Sequence, residues 1–170
     1  MAETQLPEPW LRGTLTDVPA VQRAVLHALE LAREDLAKWC GNLSDAELNA
    51  RPANLAPVAF HIRHISRSID RLLTYAEGKE LDEAQVDALR SELNPGPGSD
   101  ELFAELAGAL ERGASRVRAF HASQLEESRA VGKKRLAATV GGLLVHIAEH
   151  THRHVGQAIT TVKILVASRK

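Results

Sequence analysis

Residues 145–157 read VHIAEHTHRHVGQ, placing four histidines, His146, His150, His152 and His154, within nine positions. His146, His150 and His154 recur every fourth residue. At 3.6 residues per turn they drift only about 40° per step and share one helical face, while His152 points elsewhere. His146 and His154 are roughly 12 Å apart along the axis at about 1.5 Å rise per residue, so one ion reaches at most two adjacent members of the row. A histidine pair at i, i+4 presents two ring nitrogens to one point, and the remaining protein ligand must come from another segment of the chain. The stretch therefore calls for a long helix packed against a second helix that carries a complementary side chain.

The surrounding sequence supplies such helices. The histidine helix is predicted from about Val140 to Ala167. Upstream, Asp17 is a candidate cap with Pro19 in the opening turn, and Val18, Val21, Val25, Leu29, Ala32, Leu36 and Trp39 repeat at helical spacing to about Cys40. The segment GNLSDAELNARPANLAP is loop-like, apart from a capping box over Ser44 to Glu47. A second long helix runs from Pro57 to about Ala76, with Gly78 as its stop and Ile62, Ile65, Ile69, Leu72 and Leu73 as its stripe. Leu81 to Leu93 forms a short connecting helix, ended by the breaker cluster Asn94 to Gly98. A third long helix starts at Ser99 and buries Leu102, Leu106, Leu110, Val117 and Phe120. Residues 121–139 lack clean periodicity, Lys133, Lys134 and Arg135 are expected in solvent, and no strand signal is sustained anywhere. The predicted fold is all-α: one domain over residues 1–170, a four-helix bundle with a long crossover connection, preceded by a lead over residues 1–16.

Composition narrows the function classes. The chain has 170 residues, enough to bury a substantial core without metal or disulfides, so a bound ion would be functional. Basic and acidic residues balance at 21 to 22 and aromatics are 4%, which argues against a nucleic-acid partner. The lone Cys40 excludes an internal disulfide framework and fits a reducing, cytoplasmic location. No stretch has the length and apolarity of a membrane span, and the N-terminus lacks the pattern of a secretory signal.

The second long helix carries the other paired histidines, His61 and His64, and one of them is expected to complete the site. Amphipathicity favours His61, which lies nearer the centre of the apolar stripe. His27 and His121 are isolated and expected at the surface or in caps. Cys40 is expected as a small buried apolar residue, because no neighbour in sequence stabilises a thiolate. No general base stands out: there is no His-Glu-x-x-His, and Glu149 is rotated about 100° from the ligand face. His146 is expected either to support the site or to sit in the core. Gly156 is expected to admit a close helix neighbour, and Gln157 to lie one turn below the pair.

Three neutral imidazoles leave an ion's charge undiminished and a coordination position open, which suits zinc, nickel or ferrous iron better than calcium or magnesium. Such a site is a Lewis acid able to acidify water or a thiol beside an apolar pocket.

Three motifs carry a resemblance to a known family: His64-Ile65-Ser66-Arg67-Ser68, the His-x-x-x-His-x-Gly-Gln pattern from His150 to Gln157, and Leu43-Ser44-Asp45-Ala46-Glu47-Leu48 followed by Arg51-Pro52. Together they resemble the DinB/YfiT-like metalloenzyme superfamily over nearly the whole chain. The resemblance implies a four-helix bundle, often a homodimer, with a divalent metal held by His64, His150 and His154, and His61 behind them. It further implies a small-molecule substrate and thiol-dependent S-transfer, with a low-molecular-weight thiol as co-substrate, or hydrolysis. The contrasting expectation is a non-catalytic stress-response or dimerisation module with a structural ion. Val155 stands where the family commonly has an arginine before Gly-Gln, so any role of that arginine is lost here.

Overall fold

The apolar rows become four long helices, α1 (Ala20–Cys40), α3 (Val58–Ala76), α5 (Ser99–Arg118) and α6 (Val140–Ala167), with short helices α2 (Asp45–Leu48) and α4 (Glu83–Arg90) in the connections. The computed structural model describes residues 6–94, 96 and 98–168; residues 1–5 of the expected lead, and Pro95 and Pro97 of the breaker cluster, lie outside it. Helix α6 packs against α1 and α3, and α5 packs against the same two, so α1 and α3 lie on one diagonal of the bundle. Two connections therefore cross the bundle diagonally, α1 to α3 and α5 to α6, where a single longer crossover was expected. Among the described residues no helix is long and apolar enough to cross a membrane.

Local chemistry sets most boundaries. Ser44 and Glu47 form the predicted capping box at α2, with Ser44 N–H donating to Glu47 Oε2 at 2.9 Å. Helix α3 begins directly after Pro57, and Gly78 follows its end at φ +77, a conformation that favours glycine. Asp82 and Gln85 cap α4, which ends at Arg90 rather than continuing to Leu93. Asp17 does not cap α1: the chain turns at Leu15 (φ 57), and the extended Pro19 is the cap residue, so the helix starts three residues later than Asp17. Proline's fixed φ suits that position, and it has no N–H to leave unpaired.

The core runs through all four long helices, with Leu36, Ile62, Ile65, Ile69, Leu73, Leu102, Leu144 and Ile147 almost completely buried. Helix α5 approaches α3 closely at Gly113, where a Cβ would meet Ile69 Cγ2 at 2.7 Å. Phe120, just beyond α5, joins the core as expected.

The expected absence of strands also fails. Ser128–Val131 (β1) and Leu136–Thr139 (β2) form an antiparallel hairpin, Ser128 opposite Thr139 and Val131 opposite Leu136, with exposed Lys133, Lys134 and Arg135 at its tip. Its strands, SRAV and LAAT, have little β-branched or aromatic character. The hairpin is held from outside: Arg129 Nε donates to the Ala76 carbonyl at 2.7 Å, and Val131 and Ala138 pack on the core. Thr139 then caps α6 through a 3.0 Å bond from Gly142 N–H.

Candidate metal centre

Helices α3 and α6 pack against each other, burying Ile62, Ile65, Leu144 and Ile147, and histidines of both helices meet along the same seam. His150 and His154 lie one turn apart on α6, His64 projects from α3, and one ring nitrogen of each falls within 4.8 Å of the others. His64 Nε2 lies 2.9 Å from His150 Nε2. Ring centroids are 4.3 Å apart for His64 and His154 and 4.6 Å for His150 and His154. All three are partly buried, with the His64 side chain 17% exposed.

His61 stands one turn before His64 and deeper in the seam. It is buried, and its Nδ1 is 3.0 Å from Nδ1 of His154. Amphipathicity thus located the more buried histidine correctly, but the group of three forms around the one at the edge of the stripe. Phe60 closes one side: it stacks on His64 at 5.4 Å and meets His61 and His154 edge-on.

Burial and mutual proximity make protonation unfavourable. Burial, reinforced by the neighbouring His64, lowers the pKa of His61 to about 4 and of His150 to about 4. The same causes, with His150 and His61 adding, take His154 down to about 3. These rings stay neutral through the physiological range. His150 Nδ1 is buried with no hydrogen-bond partner among the described residues.

Glu92 is the participant that sequence reasoning missed. It follows α4 in a turn leading towards α5 and is 3% exposed. Its Oε2 accepts from His64 Nδ1 at 2.6 Å and its Oε1 from Arg71 Nη1 at 2.7 Å. Burial would raise its pKa, but the bonds from His64 and Arg71 outweigh that and hold it below the ordinary carboxylate value. A lone glutamate in a connecting segment gives no signal. Its place two residues after Arg90, the last residue of α4, says nothing of direction.

The remaining candidates fall elsewhere. His146 is 41% exposed and bonds Glu149 Oε1 at 2.7 Å, so it is neither in the core nor in the group of three, and Glu149 serves it rather than a member of that group. His152 is half-buried, beside Asp35 of α1. His27 is buried rather than at the surface, bonded to Thr14 Oγ1 at 3.1 Å. His121 is exposed at the start of a 3-10 turn. Gly156 and Gln157 are exposed, and among the described residues nothing outside the local helix lies within 4 Å of a Cβ built on Gly156, so no described helix exploits that glycine. Cys40 is fully buried and its thiol is pushed up to about 11, as befits an inert core residue. Cavities of ≈ 710 Å³ between α1 and α5 and ≈ 400 Å³ beside α4 are lined by no histidine.

Fold and site together define an all-α bundle whose two facing helices bring neutral imidazoles to a common point. The sequence profile of the DinB superfamily matches residues 28–158, from α1 through α6, and the chain belongs to that superfamily. A search of curated proteins found no match to it.

Proposed function

We propose that this protein binds one divalent transition-metal ion through His64, His150 and His154 and acts with it, as an enzyme, on a small molecule. The carrying observation is the convergence of three imidazoles from two helices within 4.8 Å, each partly exposed. Neutral nitrogen donors favour zinc, nickel or ferrous iron. A bound ion of this kind supplies Lewis acidity and makes water or a thiol acidic near neutral pH. The chain's residues shape what reaches it: Phe60 forms an apolar wall over His64, and buried His61 keeps the His154 ring in place. Within the superfamily this chemistry fits thiol-dependent S-transfer with a low-molecular-weight thiol, or hydrolysis, by a cytoplasmic homodimer.

The contrasting reading is a non-catalytic module in which the ion fastens α3 to α6. That neither cavity is lined by a histidine favours it; the partial exposure of all three histidines favours the enzyme. The deciding experiment loads the protein with cobalt, then adds small thiols while the visible spectrum is followed. Thiol binding, with turnover of electrophiles in a screen of metal-loaded protein, is the expected result. A cobalt spectrum indifferent to every thiol and anion tested, and no turnover, would leave the module.

A further inference from the structure

Helix α3 carries a second row at four-residue spacing, Arg63, Arg67 and Arg71, and all three bond the α4–α5 connection. Arg63 Nη1 donates to the Asn94 carbonyl, and Arg67 Nη1 donates to the Ala88 carbonyl at 2.8 Å and to Ser91 Oγ at 3.2 Å. Arg71 Nη1 reaches Glu92 Oε1 at 2.7 Å. Gly96 lies so near this row that a Cβ there would meet Arg63 Nη1 at 2.7 Å. The connection is thereby held along α3, and the two oxygens of Glu92 are divided between different donors. Oε1 takes the guanidinium, leaving Oε2 for the His64 Nδ1 proton at 2.6 Å.

We propose that Glu92 is a positioning residue of the histidine centre: by accepting the Nδ1 proton it fixes His64 in the tautomer whose Nε2 lone pair faces His150 and His154. The consequence for metal affinity rests on the metal reading above. A carboxylate on the far nitrogen also makes a ligating imidazole a stronger donor. Arg71 is essential to this role. In Glu92→Gln the guanidinium claims the amide oxygen, the amide NH2 turns towards His64, and the ring must accept at Nδ1 and carry its proton on Nε2, the nitrogen that should bind.

The test is the nitrogen-15 spectrum of the His64 ring in metal-free protein near about pH 8, above the ordinary histidine range, together with zinc affinity by competition with a chelator. Wild type is expected to show the Nδ1–H tautomer, Glu92→Gln the Nε2–H tautomer with zinc bound about 10- to 100-fold more weakly. Adding Arg71→Met to Glu92→Gln frees the amide oxygen for His64 and is expected to restore Nδ1–H and part of the affinity. An Nε2–H tautomer in wild type, which requires no variant to fold, or an unchanged tautomer in Glu92→Gln, overturns the proposal. If wild type takes up no zinc yet the tautomer switches, the metal reading fails while the role of Glu92 stands.

Discussion

Acidification of the metal-free protein offers a quantitative test of the histidine cluster. His61, His150 and His154 titrate at about 4, 4 and 3 in the folded chain, against an ordinary 6.5. Between about pH 6 and about pH 5 the unfolded chain therefore binds protons on all three while the folded chain binds almost none. Stability rises with pH wherever the unfolded state holds more protons, so it is complete above about 6.5 and is lost as pH falls towards about 4. The magnitude follows from the number of protons: two to three, at about 1.4 kcal/mol per proton per pH unit, give a loss of about 3 kcal/mol between about pH 6 and about pH 5. That is a large share of a typical stability of about 5–15 kcal/mol. Urea denaturation followed by circular dichroism at closely spaced pH, with chelator present, measures the slope. An uptake of about one proton or fewer in that window would mean that the rings are not desolvated together.

Six substitutions extend the test. His150→Ala and His154→Ala are each expected to abolish stoichiometric zinc binding while the far-ultraviolet spectrum stays helical; a full equivalent of zinc in both, by elemental analysis, contradicts the ligand assignment. His64→Ala is expected to weaken zinc binding more than His61→Ala in chelator competition, and the reverse order would make the buried histidine the ligand. Ile62→Ala removes a side chain with no exposure and is expected to lower stability by about 2–5 kcal/mol in urea, with less than about 1 kcal/mol counting against a tightly packed seam. Gly113→Ala sets a methyl group 2.7 Å from Ile69 Cγ2 and is expected to destabilise by about 1–3 kcal/mol, read as a lower melting temperature.

Much of the molecule was legible along the chain because its signals are local. The apolar rows of α1, α3, α5 and α6 bury as their spacing indicates apart from Trp39, which is exposed; Ser44 and Glu47 cap α2, and the α6 histidines share a face. Where a feature depends on partners distant in sequence, local signals mislead. The hairpin at residues 128–139 lacks strand character because Arg129 and the core hold it, and Asp17 looks like a cap although the chain has already turned at Leu15. His27 looked like a surface residue until the lead brought Thr14 to it.

The histidine centre divides along the same line. Helical periodicity, a property of consecutive residues, was sufficient to put His150 and His154 side by side and to require a partner from another helix. Which histidine of α3 meets them depends on the rotation of α3 against α6. Packing of Ile62 and Ile65 sets that rotation, burying His61 and leaving His64 at the margin beside the pair. Glu92 joins them across 28 residues of chain because three arginines hold its connection against α3. Spacing along one helix determines its faces; the meeting of faces from different segments is a matter of packing and buried hydrogen bonds, which only the folded chain resolves.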